Sequence, residues 1–291
     1  MFRKLRVLFN KVLRNKKYKV AFFSVITLIC IAVISIGIYV QFFYKYSETD
    51  PLMIGINIGS KKTNEYYNNL KAEFNSLFTN ELKTEMPNTR FDRLQTNKDT
   101  VYTRYNLKNE DENFYQIDVK IPVLNINSEV AKKINDEIET EFYDKANNIM
   151  RQMEGYTVYT VSYSAYVNQD IVSLVIKASL KEENKNERVF IKTYNYSIPS
   201  EKQISLDELI ELKQVTKKEV QSNIDDEIKT AYNNAIAISE QYGITYNRDL
   251  KDEMYKVSNT KEFFLTNEGN VYIVYPYGNT EYTNEVDIVI F

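Results

Sequence analysis

The 291 residues include no histidine, no tryptophan and one cysteine, Cys30. This excludes Ser-His-Asp and Cys-His nucleophile pairs, the usual zinc centres and any disulfide within the chain. An apolar fraction of 43%, with 24 tyrosines and 15 phenylalanines, suffices for one sizeable core, and the scarcity of glycine (7) and proline (5) excludes collagenous and low-complexity chains. The net charge of −3 hides an asymmetry: residues 1–19, MFRKLRVLFNKVLRNKKYK, carry eight bases and no acid, leaving 29 bases against 40 acids, a net of −11, in the remainder.

In chain order, the basic tail sets Phe2, Leu5, Leu8, Phe9 and Val12 on one side of a helix, which suits an anionic lipid surface. The stretch from Val20 to Val40 has no charged residue and, at about 1.5 Å per residue, spans roughly 30 Å, the hydrocarbon thickness of a bilayer. Tyr18 before it, and Tyr39, Phe42, Phe43 and Tyr44 after it, suit interfacial belts, so a transmembrane helix is expected over 20–44. Bases before the span and acids (Glu48, Asp50) after it predict a cytoplasmic N-terminus and an extracellular bulk. The span is too long for a cleaved signal peptide, and Ile29 stands where lipidation of Cys30 would need a small residue. A single-pass signal-anchor in a cell membrane is the expected topology.

Residues 45–112 read as a juxtamembrane linker that contains a helix over 63–82, with Tyr67, Leu70, Phe74, Leu77, Phe78 and Leu82 at helical spacing. Strands are expected at VYTRYNL and NFYQIDVKIPVL, the second becoming an edge at Pro122. A long amphipathic helix follows, capped by Ser128 and stopped at Gly155, with Val130, Ile134, Ile138, Phe142, Ala146, Ile149 and Met153 as its stripe. Three antiparallel strands come next, the first two joined by Asn168-Gln169 and the last two by KEENKNE. Capping boxes at Ser205-x-x-Glu208 and Thr216-x-x-Glu219 open a short and a long helix, the latter stopping near Gly243, and Asn247 caps another short one. EFFLT, VYIVYP and EVDIVIF close the chain as strands. Blocks of strands and helices linked by hairpins predict an α+β class: an antiparallel sheet with packed helices, preceded by a single N-terminal transmembrane helix.

The blocks at 121–138, 170–176, 194–210 and 263–278, in this order, resemble the extracytoplasmic domain of RsiV-type anti-sigma factors, also found beside the catalytic domain of PdaC-type peptidoglycan deacetylases. The resemblance covers about residues 113–291, in halves of about 113–200 and 201–291. It implies a sensor or binding module of a Gram-positive envelope. RsiV-type outer domains bind lysozyme, a very basic protein, and then become open to regulated proteolysis. The 19-residue basic tail is shorter than the segment with which that type holds its sigma factor, and the deacetylase metal site needs histidines that this chain lacks.

The expected partners are the lipid bilayer and, outside, a cationic protein or peptide such as lysozyme, or a cell-wall component. The acidic balance disfavours nucleic acid. The alternatives are an accessory subunit docking on a membrane complex through helix 63–82, and an RsiV-like anti-sigma factor. No enzyme activity, metal or cofactor is expected. The carboxylate pairs Asp225-Asp226, Glu137-x-Glu139 and Glu182-Glu183 fall where charged side chains face water. The candidate binding residues are Tyr272, Tyr275, Tyr277 and Tyr282. Alternation puts Tyr275 and Tyr277 on one face of their strand and Tyr272 on the other, with one face expected in the core and one exposed.

Overall fold

The computed structural model describes residues 64–87, 90–152, 155–242, 249–276 and 286–291. The basic tail, the apolar span, the linker to residue 63, Met153, Gly243, Asn247, Tyr277 and Tyr282 lie outside them. No helix among the described residues is long and apolar enough to cross a membrane. The chain divides into two compact units, Met1–Ile58 and Gly59–Phe291, and the description that follows is of the second.

Helix α1 (Asn64–Ser76) is followed by β1 (Val101–Asp111) and β2 (Tyr115–Leu124). Residue 113, the expected start of the outer domain, falls in the turn between them. Helix α2 (Glu129–Ile138) passes through a π-helical turn (Glu139–Tyr143) into α3 (Asp144–Gln152). Strands β3 (Thr157–Asn168), β4 (Ile171–Glu182), β5 (Arg188–Ser197) and β6 (Lys202–Gln203) complete a six-stranded sheet in the order β1-β2-β3-β4-β5-β6. All its pairs are antiparallel except β2 with β3, which the helical crossover joins in parallel. Helices α4 (Leu206–Leu212) and α5 (Lys217–Tyr242) and two 3-10 turns precede a second, antiparallel sheet of β7 (Glu262–Leu265), β8 (Val271–Pro276) and β9 (Val286–Ile290). The architecture is α+β and dominated by antiparallel pairing.

The elements form where local chemistry favours them. Ser128 accepts from the Ala131 amide at the start of α2, and the capping boxes at Ser205 and Thr216 are both formed. Ile134, Ile138, Phe142 and Ala146 recur every four residues, about 40° beyond a full α-helical turn at each step. The wide π turn takes up that drift, so Phe142 and Ala146 stay buried on the face begun by Ile134 and Ile138. The β3–β4 turn is Gln169-Asp170, one residue later than expected, with Gln169 at φ 52 supplying the twist of a two-residue hairpin.

One expectation is corrected. Helix 63–82 ends at Ser76. The chain turns through Asn80 at φ 61 and runs beside β3: the Asn80 amide donates to the Tyr163 carbonyl, Lys83 to Ala165, and Ala165 back to Glu81. Backbone pairing at an open strand edge outweighs continued helix here. Strand β2 has β1 and β3 on either side, and its end becomes an edge at Pro122 as expected. Its pairing with β3 ends at Val119, so Pro122 lies beyond it, opposite the register shift between Thr103 and Tyr105.

The layers stack from α2/α3, through the first sheet, to the second sheet with α1 and then α4/α5. Ile117, Val119, Tyr159, Tyr163, Leu174 and Ile176 meet the first helices. Across the middle, Tyr166 and Val175 meet Phe264, Tyr272, Val274 and Ile288, with Leu70 and Phe74 of α1 closing one side. Phe264 stacks between Tyr166 and Tyr272 at centroid distances of 5.7 and 4.9 Å. Each such side chain contributes about 1.5–3 kcal/mol by burial.

The two sheets also join through polar groups. Outer-face side chains of β4 and β5 reach the backbone of β7: Asn195 Nδ2 donates to the Phe263 carbonyl (2.7 Å), the Phe263 amide to Thr193 Oγ1 (3.0 Å), and the Leu265 amide to Ser173 Oγ (3.1 Å). Ser173 in turn donates to Asn195 Oδ1 (2.6 Å), all within the interior. Asn195→Ala is expected to lower stability by about 1–3 kcal/mol for each group left unpaired, the Phe263 carbonyl and the Ser173 hydroxyl. Denaturant unfolding checks this; a loss below about 0.5 kcal/mol would show that the polar joint carries no weight.

Candidate ligand cleft beside strand β5

A cleft of about 670 Å³ runs along β5 between the two sheets. Why it exists follows from pairing. On one side β5 pairs with β4 over its whole length, but on the other β6 pairs only with Tyr196 and Ser197. Residues of one parity, Val189, Ile191, Thr193 and Asn195, turn their backbone groups away from β4. The Asn195 carbonyl accepts from Ile204, and the Thr193 amide donates to Glu262 Oε2 at 2.7 Å. The backbone groups of Val189 and Ile191 have no partner among the described residues.

Charged side chains gather on this edge. Glu141 comes from the π turn, Asp252 and Glu253 from the first 3-10 turn and Glu262 from the start of β7, facing Lys192 and Lys261. Arg188, at the head of β5, is paired with Glu182. Met254, Pro276 and Val286 add apolar wall. Burial pushes the Glu262 carboxyl above the usual carboxylate range, although Lys192 and two hydrogen bonds from Thr193 pull it down. A half-open cleft with converging charges and a perturbed carboxylate is a binding-site geometry.

The candidate tyrosines are placed differently from the expectation. Alternation along β8 holds, but both faces are covered, and Tyr272 and Tyr275 are each only 3% exposed. Tyr272 lies in the middle layer, where burial raises its hydroxyl pKa. Tyr275 faces the α4/α5 layer, packs edge-on against Tyr255 at 5.2 Å and shares a 2.7 Å hydrogen bond with Thr260. Burial pushes it up to about 12 despite that bond, and its edge still lines the cleft. Tyr277 and Tyr282 are outside the described residues. The acids and the open edge of β5 were missed; the one sequence signal was the brevity of the run after Ser197, which leaves little chain for a long partner strand.

Other groups do not converge. Asp225, Asp226 and Glu137 are exposed, Glu139 pairs with Arg104 (3.1 Å) and Glu182 with Arg188. Among the described residues no group of three or more His, Cys, Asp or Glu side chains is placed to hold a metal ion. A second cleft of about 680 Å³, on the outer face of the first sheet, is basic: Lys71, Lys177 and Lys181 stand over Thr160, Ser162 and Ser179.

Glu262 yields a pH test. Its folded-state pKa lies above the unfolded one, so ionisation favours the unfolded chain. Its contribution to stability is therefore present below the ordinary carboxylate pKa and is lost as pH rises through the raised value. Glu262→Gln keeps an oxygen for Thr193 and should flatten this part of the stability–pH curve. Glu262→Ala should cost about 1–3 kcal/mol by leaving the Thr193 amide unpaired. Thermal unfolding across the acidic range distinguishes the two; equal profiles for wild type and Gln would refute the assignment.

No family model matches the chain, and no curated protein does. Among solved structures, a DUF3298 family protein from Pseudomonas aeruginosa PAO1 is similar at 12% identity and a TM-score of 0.37, covering 65% of this chain and 85% of the other. A member of the DUF3298 family from Bacteroides fragilis NCTC 9343 is similar at 8% identity and a TM-score of 0.34, covering 60% and 81%.

Proposed function

We propose that this chain is a single-pass membrane protein whose acidic α+β domain stands outside a Gram-positive cell and binds a cationic protein or peptide as an envelope sensor. The observation that carries the reading is the cleft beside β5, where Glu141, Asp252, Glu253 and Glu262 outnumber Lys192, Lys261 and the Lys256 that pairs with Glu253. The net of −11 beyond the basic tail extends the same sign over the domain and steers cations toward it. The uncharged stretch from Val20 to Val40, preceded by eight bases, supports the anchor and its orientation. The resemblance to RsiV-type outer domains makes lysozyme the first partner to try. The apolar stripe of α1 argues for this reading over a docking subunit, because Leu70 and Phe74 are buried inside the chain's own core.

The full-length chain in detergent is expected to bind lysozyme, with an affinity that falls about tenfold or more as salt rises from about 0.05 M to about 0.5 M, because screening shortens the reach of the charges. The double variant Glu141→Gln/Glu253→Gln should weaken binding and reduce the salt slope. Isothermal titration at several ionic strengths reads both. Salt-independent binding, or none to lysozyme and to cationic peptides alike, would overturn the proposal.

A further inference from the structure

The chemistry of the cleft specifies a mode of binding. This step rests on the cationic-partner reading and goes beyond it by naming the backbone of β5 as the recognition element. The backbone groups of Val189 and Ile191 point out of the first sheet into the cleft and meet no partner among the described residues. At the next outward position Glu262 stands in for a strand by accepting from the Thr193 amide, and beyond it β6 and Ile204 take over. Among the described residues the free edge is thus bounded: it begins at the head of β5 and ends where Glu262 caps it, about 16 Å for five residues at strand spacing. An unpaired edge of that length takes an extended peptide by main-chain hydrogen bonding.

We infer that β5 binds a short, extended, basic peptide segment as an added strand along Arg188–Lys192. Side chains of an added strand alternate between the two faces of the sheet. On one face they meet Glu141, which rises from the π turn beside α3. On the other they meet Glu253 and Glu262, with Met254 and Pro276 between. A peptide with bases at both parities satisfies these positions, whereas an acidic one places like charges beside a carboxylate already raised by burial.

The test uses the full-length chain in detergent and a decapeptide of repeating Lys-Lys-Val-Val (the Lys-Val peptide), which places bases on both faces of an added strand, with repeating Glu-Glu-Val-Val (the Glu-Val peptide) as the control. Amide hydrogen exchange should show Val189 and Ile191 becoming protected on Lys-Val binding, with no change for Glu-Val. Val189→Pro removes one outward donor and no bond to β4, so the fold should survive and affinity should fall about tenfold or more. If Pro unfolds the chain, the exchange measurement on the wild type still decides. Lys-Val binding without protection at 189 and 191 would overturn strand addition while leaving the cationic-partner reading standing. Absence of binding by Lys-Val and by lysozyme would overturn both.

Discussion

The second sheet stays on the first because the free edge of β7 is completed by side chains rather than by a strand. A buried strand edge carries amides and carbonyls that cost about 1–3 kcal/mol each when unpaired. Thr193, Asn195 and Ser173 supply the missing partners from the outer face of β4 and β5, and they are themselves bonded to one another or to Glu262. The Phe263 amide and carbonyl and the Leu265 amide thus each find a partner within this joint. The apolar stack of Tyr166, Phe264 and Tyr272 beside it provides most of the burial, but burial alone has no direction. The hydrogen bonds fix where β7 stops along β5.

That position determines what remains open. The second sheet covers Val175 and Ile191 but stops short of Thr160, Ser162 and Ser179, which face a cleft with lysines instead of a packed layer. The first sheet and the α4/α5 layer cover the two faces of β8, which is why Tyr272 and Tyr275 expose almost none of their aromatic surface. Val274, Tyr275 and Pro276 form the rim of β8 that lines the cleft beside β5.

Much of the fold was legible. Caps at Ser128, Ser205 and Thr216 and the alternating strands stated their structures locally, because the deciding interactions lie within a few residues. What was illegible depended on distant groups. Leu77, Phe78 and Leu82 keep helical spacing, yet the helix ends at Ser76 because β3 offers backbone pairing to residues 80–83. Ser173, Thr193 and Asn195 occupy the alternate positions that usually face water, and nothing near them in the chain announces that β7 will arrive, some 70 to 90 residues on. The site was illegible for the same reason: Glu141, Asp252, Glu253 and Glu262 come from three separate elements and gather only when the sheets stack. The tyrosines of β8, conspicuous in the sequence, mark the core instead.

An edge left open among the described residues, such as that of β5, is also a hazard, since it can pair with the same edge of a second copy. Here the charges decide the matter. Two copies meeting edge to edge would bring two sets of Glu141, Glu253 and Glu262 together, in surroundings where burial already raises the pKa of one carboxyl. Each carboxylate brought nearer would add repulsion at the point where desolvation is already costly. A basic strand reverses the sign of every one of these terms while offering the same backbone hydrogen bonds. The acids thus act on both alternatives at once, opposing self-pairing and favouring a cationic segment, and the difference between the two is larger than either effect alone. An edge protected only by lysines, or by a proline, would prevent self-association without selecting any partner.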